Sequence, residues 1–261
     1  MKKVIKLLIF RLFGSEFFGW LQSIYWVNKL KKGEIYEKEI RVLKDFVKEG
    51  DVVIDIGANC GQYTYHLSKL VGAHGKVFSV EPAEAALKIL KNVVYRLRLG
   101  NVEIKEVALA EKNSEHDLIT PKDRHNLPNI GEAHLQMQGE LLNGNKERVK
   151  CTTLDELVNS SDFEGRITFI KCDVEGGEMM VFNGGKKLVS KYHPVILCEI
   201  EERHTKQYGY TPEALFALLK DLGYKAFIFI SDKLVPIQGV QEPEINYVFI
   251  YKSGFHKNLY S

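Results

Sequence analysis

Apolar residues in this chain gather into short continuous runs that alternate with stretches of helical period, and the alternation predicts strands and crossover helices of a parallel sheet. Val52, Val53, Ile54 and Ile56 make one such run. It lacks the in-out polar rhythm of a half-exposed strand, so it predicts a central strand covered on both faces. Further runs at 76–80, 102–109, 167–172, 194–198, 225–230 and 245–251 predict the remaining strands. Between them, Leu87, Leu90, Val94 and Leu97 mark a crossover helix over 83–99 that Gly100 stops. The pattern predicts an amphipathic helix over 212–222, with Thr211 as its cap and Gly223 as its stop.

The chemistry sits at the predicted strand ends. The first strand carries Asp55 and runs into a turn spaced Gly57-x-x-x-Gly61, which opens a helix near Gln62. Glycines let a backbone approach a ligand closely, and a helix start aims amide groups at the same crevice. The dinucleotide order G-x-G-x-x-G is missing, so a pyrophosphate site is disfavoured. A carboxylate there favours a ligand with an ammonium group, such as the methionine portion of S-adenosylmethionine. The second strand ends in Glu81-Pro82, about 20 residues past the turn, where an acidic residue in a doubly wound fold accepts from a ribose diol. Ala108 falls near the tip of the third strand, a small residue that leaves room for a purine. The fourth strand delivers Lys171, Asp173, Glu175 and Glu178, and crowded carboxylates of this kind suit a general base or a metal ligand. Glu178 reads as structural. The fifth strand brings Glu199, followed by Glu201, Glu202 and His204.

Taken together, DIGAN at 55–59, EP at 81–82, TTLDEL at 152–157 and IKCDVEGGE at 170–178 resemble the FkbM family of S-adenosylmethionine-dependent methyltransferases over roughly residues 35–230. The resemblance implies a Rossmann-like class I methyltransferase fold, α/β and doubly wound. Its seven-stranded, mostly parallel sheet has helices on both faces and an antiparallel final strand. It also implies O-methylation of a sugar, glycan precursor or secondary metabolite. Carried over residue by residue, Asp55, Gly57, Asn59 and Gly61, with the intervening Ile56 and Ala58, line the cofactor. Glu81 and Pro82 hold its ribose, and Asp173 lies near the transferring methyl. Asp173, Glu175 and Glu199 are the candidates to take the acceptor's proton. Asp155 in TTLDEL serves either ligand or a helix start. Cys60 and Gly177 depart from the family's usual aliphatic and alanine.

At 261 residues, 45% hydrophobic and 27% charged, the chain can bury one sizeable core, and a net charge of +2 gives no nucleic-acid signature. Cys60, Cys151, Cys172 and Cys198 are scattered, as reduced buried thiols in a cytosol would be. No HExxH, CxxC or EF-hand pattern occurs; magnesium on Asp173, Glu175 and Glu199 is conceivable, but no spacing requires it.

Residues 1–34 read as a helical extension to a catalytic domain at 35–261. Within 1–32, Lys2, Lys3, Lys6 and Arg11 accompany Leu8, Leu12, Phe13, Phe17, Trp20, Leu21, Ile24 and Tyr25. The charges at Lys6, Arg11 and Glu16 interrupt any span of about 20 apolar residues, so this segment caps the core or an oligomer interface, or lies in a membrane interface. Between 111 and 148 the periodicity fades into a polar segment with His116, His125 and His134, read as short strands and a substrate-covering loop. A non-catalytic scaffold of the same fold is the competing reading, and the intact carboxylates Asp55, Glu81 and Asp173 argue against it.

Overall fold

The computed structural model describes residues 3–34, 37–124, 126–137, 140, 144–158, 165–231 and 233–252; His125 lies outside them. α1 (Lys3–Lys31) is kinked at Gly14, where φ is 77°. Its second half buries Phe18, Val27 and Leu30, and Val27 and Leu30 pack with Cys60, Ile89 and Val93. α2 (Leu43–Phe46) leads to β1 (Val52–Ile56), α3 (Gln62–Val71), β2 (Lys76–Val80), α4 (Glu84–Arg96) and β3 (Val102–Lys105). A second sheet then forms from β4 (Ala108–Leu109), β5 (Ser114–Pro121), β6 (His134–Leu135) and β7 (Gly144–Thr152). The chain returns to the first sheet through α5 (Leu154–Leu157), β8 (Ile167–Cys172), α6 (Glu178–Asn183), α7 (Lys186–Tyr192) and β9 (Val195–Glu199). It closes with α8 (Glu202–Thr205), α9 (Pro212–Asp221), β10 (Tyr224–Ile230), β11 (Lys233–Ile237) and β12 (Asn246–Tyr251).

The main sheet has the order β11-β10-β12-β9-β8-β1-β2-β3. Every pair from β3 to β9 is parallel, and β12 runs antiparallel between β9 and β10. This is the class I methyltransferase arrangement with one addition. Seven strands were expected and eight are present, because the chain turns back after Ile230 and adds β11 to the outer edge. Strand alternation divides the core between the two faces. Ile54, Ile56, Ile170 and Phe182 pack on one face, and Val53, Leu67, Phe169 and Leu197 on the other. The continuous apolar runs are thus strands with helices on both sides.

The run 102–109 is not a single strand. β3 pairs with β2 only as far as Val80 opposite Lys105, where β2 ends. Beyond Lys105 no main-sheet edge remains to pair with, so the chain diverges and Ala108 joins the second sheet opposite Cys151. That sheet hangs over the carboxyl ends of β1, β2 and β8. The strand order reverses between β1 and β8, and such a reversal opens a crevice at those ends.

Candidate functional site

Residues just past Ile56 form a tight turn that the neighbouring strands hold in place. Gly57 N–H and Ala58 N–H both donate to Val80 O at 3.0 Å, and Asp173 N–H donates to Ile56 O at 3.0 Å. Gly57 has φ 77°, and a Cβ there would lie 1.8 Å from Asp173 O, so no other residue fits without moving the backbone. The turn and the β8 tip are therefore pressed together. Asn59, at φ 46°, donates its N–H to Glu81 Oε2 at 2.8 Å, while Ala83 N–H donates to Glu81 Oε1 at 2.8 Å. Glu81 is thereby fixed in orientation and is 5% exposed. Burial raises its carboxyl to about 7 against the lowering effect of those two amides.

A pocket open to solvent lies against this turn, with about 620 Å³ of space between its walls and the solvent it opens onto. Its polar wall carries Asn59, Glu81, Asp173 and Glu175, and its apolar wall Val107, Leu109, Leu118 and Leu135. The second sheet supplies much of the cover: Tyr208, which lines the pocket, donates its hydroxyl to Leu135 O at 3.0 Å and ties the two layers. His134 also lines it, with Nδ1 2.8 Å from Glu132 O and Nε2 2.8 Å from Glu140 Oε1.

Of the residues singled out from sequence, Ile56, Gly57, Asn59, Glu81, Pro82, Ala108, Asp173 and Glu175 line the pocket. Asp55, Ala58, Gly61 and Glu199 do not. Alternation along β1 turns Asp55 toward α3, where Thr64 Oγ1 donates to Asp55 Oδ2 at 2.6 Å and lies 2.9 Å from Ser79 Oγ. Burial raises the Asp55 carboxyl to about 6, and Thr64 and Lys171 oppose that rise. Asp55 therefore braces the turn from behind. Ala58 is buried under the turn, and Gly61 caps α3 beside Leu90.

The segment after β8 is held in a strained shape. Glu175 has φ 55°, an uncommon conformation for a residue with a side chain, and such strain gathers at functional sites. Buried Glu178 supports it from below: Oε1 accepts from Val174 N–H and Gly176 N–H at 3.1 Å each, and Oε2 accepts from Tyr210 at 3.0 Å. Glu178 is structural, as its place in the sequence suggested. Glu175 Oε2 lies 2.9 Å from His204 Nε2, an electrostatic approach without the alignment of a hydrogen bond. Glu175 is the chief cause of the raised His204 pKa. Asp155 accepts from Leu188 N–H at 2.7 Å and caps α7, so its role is also structural.

Lys171 is 1% exposed, and its Nζ donates to Asp173 Oδ2 at 3.2 Å and lies 4.9 Å from the Tyr63 ring centroid. Burial alone would lower its pKa; Asp173, Glu199 and Glu37 outweigh that and raise it. Glu37, from the connection between α1 and α2, accepts from Tyr63 Oη at 2.5 Å and from Gln62 Nε2 at 2.9 Å. Sequence reasoning missed Glu37 and Tyr63, for no local motif surrounds Glu37 and Tyr63 reads as an ordinary helix residue. Among the described residues, no three His, Cys, Asp or Glu side chains are grouped to hold a metal ion.

A family model described as the methyltransferase FkbM domain matches residues 55–226, which enclose the turn, Glu81, Asp173 and Glu199. The chain belongs to the FkbM methyltransferase family. The donor set fits S-adenosylmethionine: Glu81 suits a ribose diol, and the apolar wall beside Ala108 suits a purine. A curated relative from Sulfurisphaera tokodaii, "Probable cobalt-precorrin-6B C(15)-methyltransferase (decarboxylating)", is 35% identical over 98 residues, covering 35% of this chain and 51% of its own. The ribosomal RNA large subunit methyltransferase E of Bdellovibrio bacteriovorus is 32% identical over 76 residues, 29% of this chain and 36% of its own. The chain thus spans about half or less of the curated relatives it matches. Among solved structures, methyltransferase FkbM from Methylobacillus flagellatus KT is 14% identical, with a TM-score of 0.48 over 77% of this chain and 43% of that one.

Proposed function

We propose that this FkbM methyltransferase transfers the methyl group of S-adenosylmethionine to a hydroxyl oxygen of a small molecule: a sugar, a glycan precursor or a secondary metabolite. The observation that carries the reading is Glu81, a buried carboxylate held by two backbone amides on the wall of the same pocket as Asp173 and Glu175. The donor supplies an activated methyl group. The protein's part is to orient the acceptor oxygen and remove its proton, and orientation alone is worth several kcal/mol. Asn59, Glu81 and Pro82 hold the donor's ribose side, the backbone at Gly57 its methionine side, and Val107, Leu109 and Leu135 its base. Asp173 and Glu175, which line the pocket, and Glu199, at the neighbouring strand tip, are the candidates to receive a proton. The acceptor's being an alcohol is favoured by this acceptor-rich set, which matches O–H donors.

The four buried, unpaired cysteines are in keeping with a reducing, cytoplasmic setting. No described helix is long and apolar enough to cross a membrane. Residues 3–20 of α1 instead have the composition of a peripheral contact: Leu12, Phe17 and Trp20 are exposed, and Lys3, Lys6 and Arg11 precede any acidic residue. Since Val27 and Leu30 are core residues, the contact is best tested by Leu12→Glu/Trp20→Glu in the full chain, which should abolish pelleting with anionic liposomes. Absence of pelleting by the unmodified chain would refute the contact. A second copy docking there is the other occupant, and sedimentation would reveal it.

The central test is calorimetric titration with S-adenosylhomocysteine, the product form that needs no acceptor. One-to-one saturable binding is expected. A folded protein that does not bind it would overturn the methyltransferase reading and leave a scaffold role.

A further inference from the structure

The pocket occupies the strand ends on the β2 side of β8, and the sheet continues on the other side through β9 and β12. There the tip of β9 carries Glu199, opposite Asn246 at the start of β12. In the parallel register Lys171 lies opposite Leu197, so Lys171, Asp173 and Glu199 share one face of the sheet, two adjacent strands apart by a single ladder step. Three of the neighbouring carboxylates already have partners: Asp173 is paired with Lys171, Glu175 with His204, and Glu37 accepts from Tyr63 and Gln62. Glu199 is different. Among the described residues its side chain makes no hydrogen bond and no ion pair, and it keeps some accessible surface. Asp173 is accessible too, with 29% of its side chain exposed, whereas the cation that acts on both is buried.

We propose that Lys171 is a positioning residue that fixes Asp173 as a paired anion and leaves Glu199, on the adjacent strand tip, to take the proton of the acceptor hydroxyl, which therefore enters over β9 and β12. This rests on the methyl-transfer reading above. It gives separate roles to two carboxylates, Asp173 and Glu199, that the sequence names together as candidate proton acceptors. The acceptor's O–H bond breaks as its O–CH3 bond forms, the proton passes to a Glu199 carboxylate oxygen, and the electron pair of the donor's S–CH3 bond stays on sulfur as a neutral thioether. The groups acting on Glu199 are Asp173 and Lys171 on the β8 side, Glu175 in the loop after it, and Glu37 from the connection between α1 and α2. Burial first, and then Asp173, raise its carboxyl to about 8, while Lys171 lowers it. A base with that affinity is well matched to slightly alkaline operation. The face is also short of donors: Glu39, buried within reach of the charge on Lys171, has an oxygen, Oε1, without a partner. Several carboxylates around one ammonium favour an acceptor that brings its own O–H donors, that is, a polyol.

The deciding experiment is infrared titration of the full chain saturated with S-adenosylhomocysteine, between pH 6 and 9. A protonated carboxyl band should disappear as pH rises through about 8. It should be absent in Glu199→Gln, persist in Asp173→Asn, move to higher pH in Lys171→Met, and return in Lys171→Arg. Glu199→Gln should bind S-adenosylhomocysteine within about threefold of the unmodified protein, yet release labelled methanol from S-adenosylmethionine, with water as the acceptor, at least about tenfold more slowly. If Lys171→Met fails to fold, the unmodified protein and Glu199→Gln still decide the matter. A band titrating near pH 8 that survives in Glu199→Gln, no band titrating there in the unmodified protein, or methanol release unaffected by that substitution would overturn the assignment. Failure of the unmodified protein to bind S-adenosylhomocysteine would instead remove the methyl-transfer reading beneath it.

Discussion

Replacing Glu81 by glutamine separates what its charge does from what its shape does. Burial holds the Glu81 carboxyl at about 7, against 4.5 for a free glutamate side chain. That displacement corresponds to about 3 kcal/mol at 1.36 kcal/mol per pH unit. An unfolded chain gives up this proton near 4.5 and the folded chain near 7, so the fold loses stability as pH rises between those values, and the full loss is present above 7. The glutamine side chain has no charge to bury. It does, however, present a donating carboxamide NH2 where one carboxylate oxygen accepted from a backbone N–H, leaving Asn59 N–H or Ala83 N–H without an acceptor at about 1–3 kcal/mol. The stability difference between wild type and Glu81→Gln should therefore swing toward the variant by about 2–3 kcal/mol from pH 5 to pH 8, measured by urea unfolding.

Ligand binding should swing the other way. If ribose hydroxyls donate to the ionised carboxylate, binding of S-adenosylhomocysteine expels the Glu81 proton, and affinity rises by up to about tenfold per pH unit below 7 and then levels off. Glu81→Gln should bind weakly and show no such rise. Asp55→Asn serves as the control, since Asp55 titrates near 6 and would otherwise contribute to the slope. Wild-type affinity that is flat from pH 5.5 to 8, or a glutamine variant binding as tightly at pH 8, would refute the reasoning for Glu81.

Gly57→Ala should cost at least about 3 kcal/mol, because the new methyl meets Asp173 O at 1.8 Å on a backbone with φ 77°; a melting temperature unchanged from wild type would contradict that. Asp55→Asn keeps an oxygen for the Thr64 hydroxyl and removes a buried charge, so at pH 8 it should stabilise the fold by up to about 3 kcal/mol, and a lower urea midpoint would count against it. Glu178→Ala strips the acceptor from Val174 N–H, Gly176 N–H and the Tyr210 hydroxyl, predicting a loss of about 2–5 kcal/mol together with weaker S-adenosylhomocysteine binding; unchanged values of both would show that the loop holds itself.

Burial on both faces explains why the main sheet was legible and the second sheet was not. β1, β2, β8 and β9 lie under helices on each side, so nearly every residue must be apolar and the runs stand out. β5 and β7 are instead held partly by charged pairs across the strands, with Lys146 and Arg148 on Asp117, and a strand built that way has no apolar run to detect. The same contrast separates the two halves of the site. The donor half is a turn at a strand tip, where glycine spacing and an acidic residue about 20 positions later follow from the geometry of one βαβ unit, so it is readable locally. Even there, the motif names Asp55 without its direction. The pleat supplies that, because a residue next to pocket-lining Ile56 must point to the other face, toward Thr64. The proposed acceptor half has no local rule. Glu37 reaches Tyr63 across 26 residues, and the charge on Lys171 acts on Glu199 only because β8 and β9 are neighbours in the sheet. Families that share a donor can keep the first half while varying the second, so the residues that choose the acceptor are the ones a one-dimensional pattern conceals.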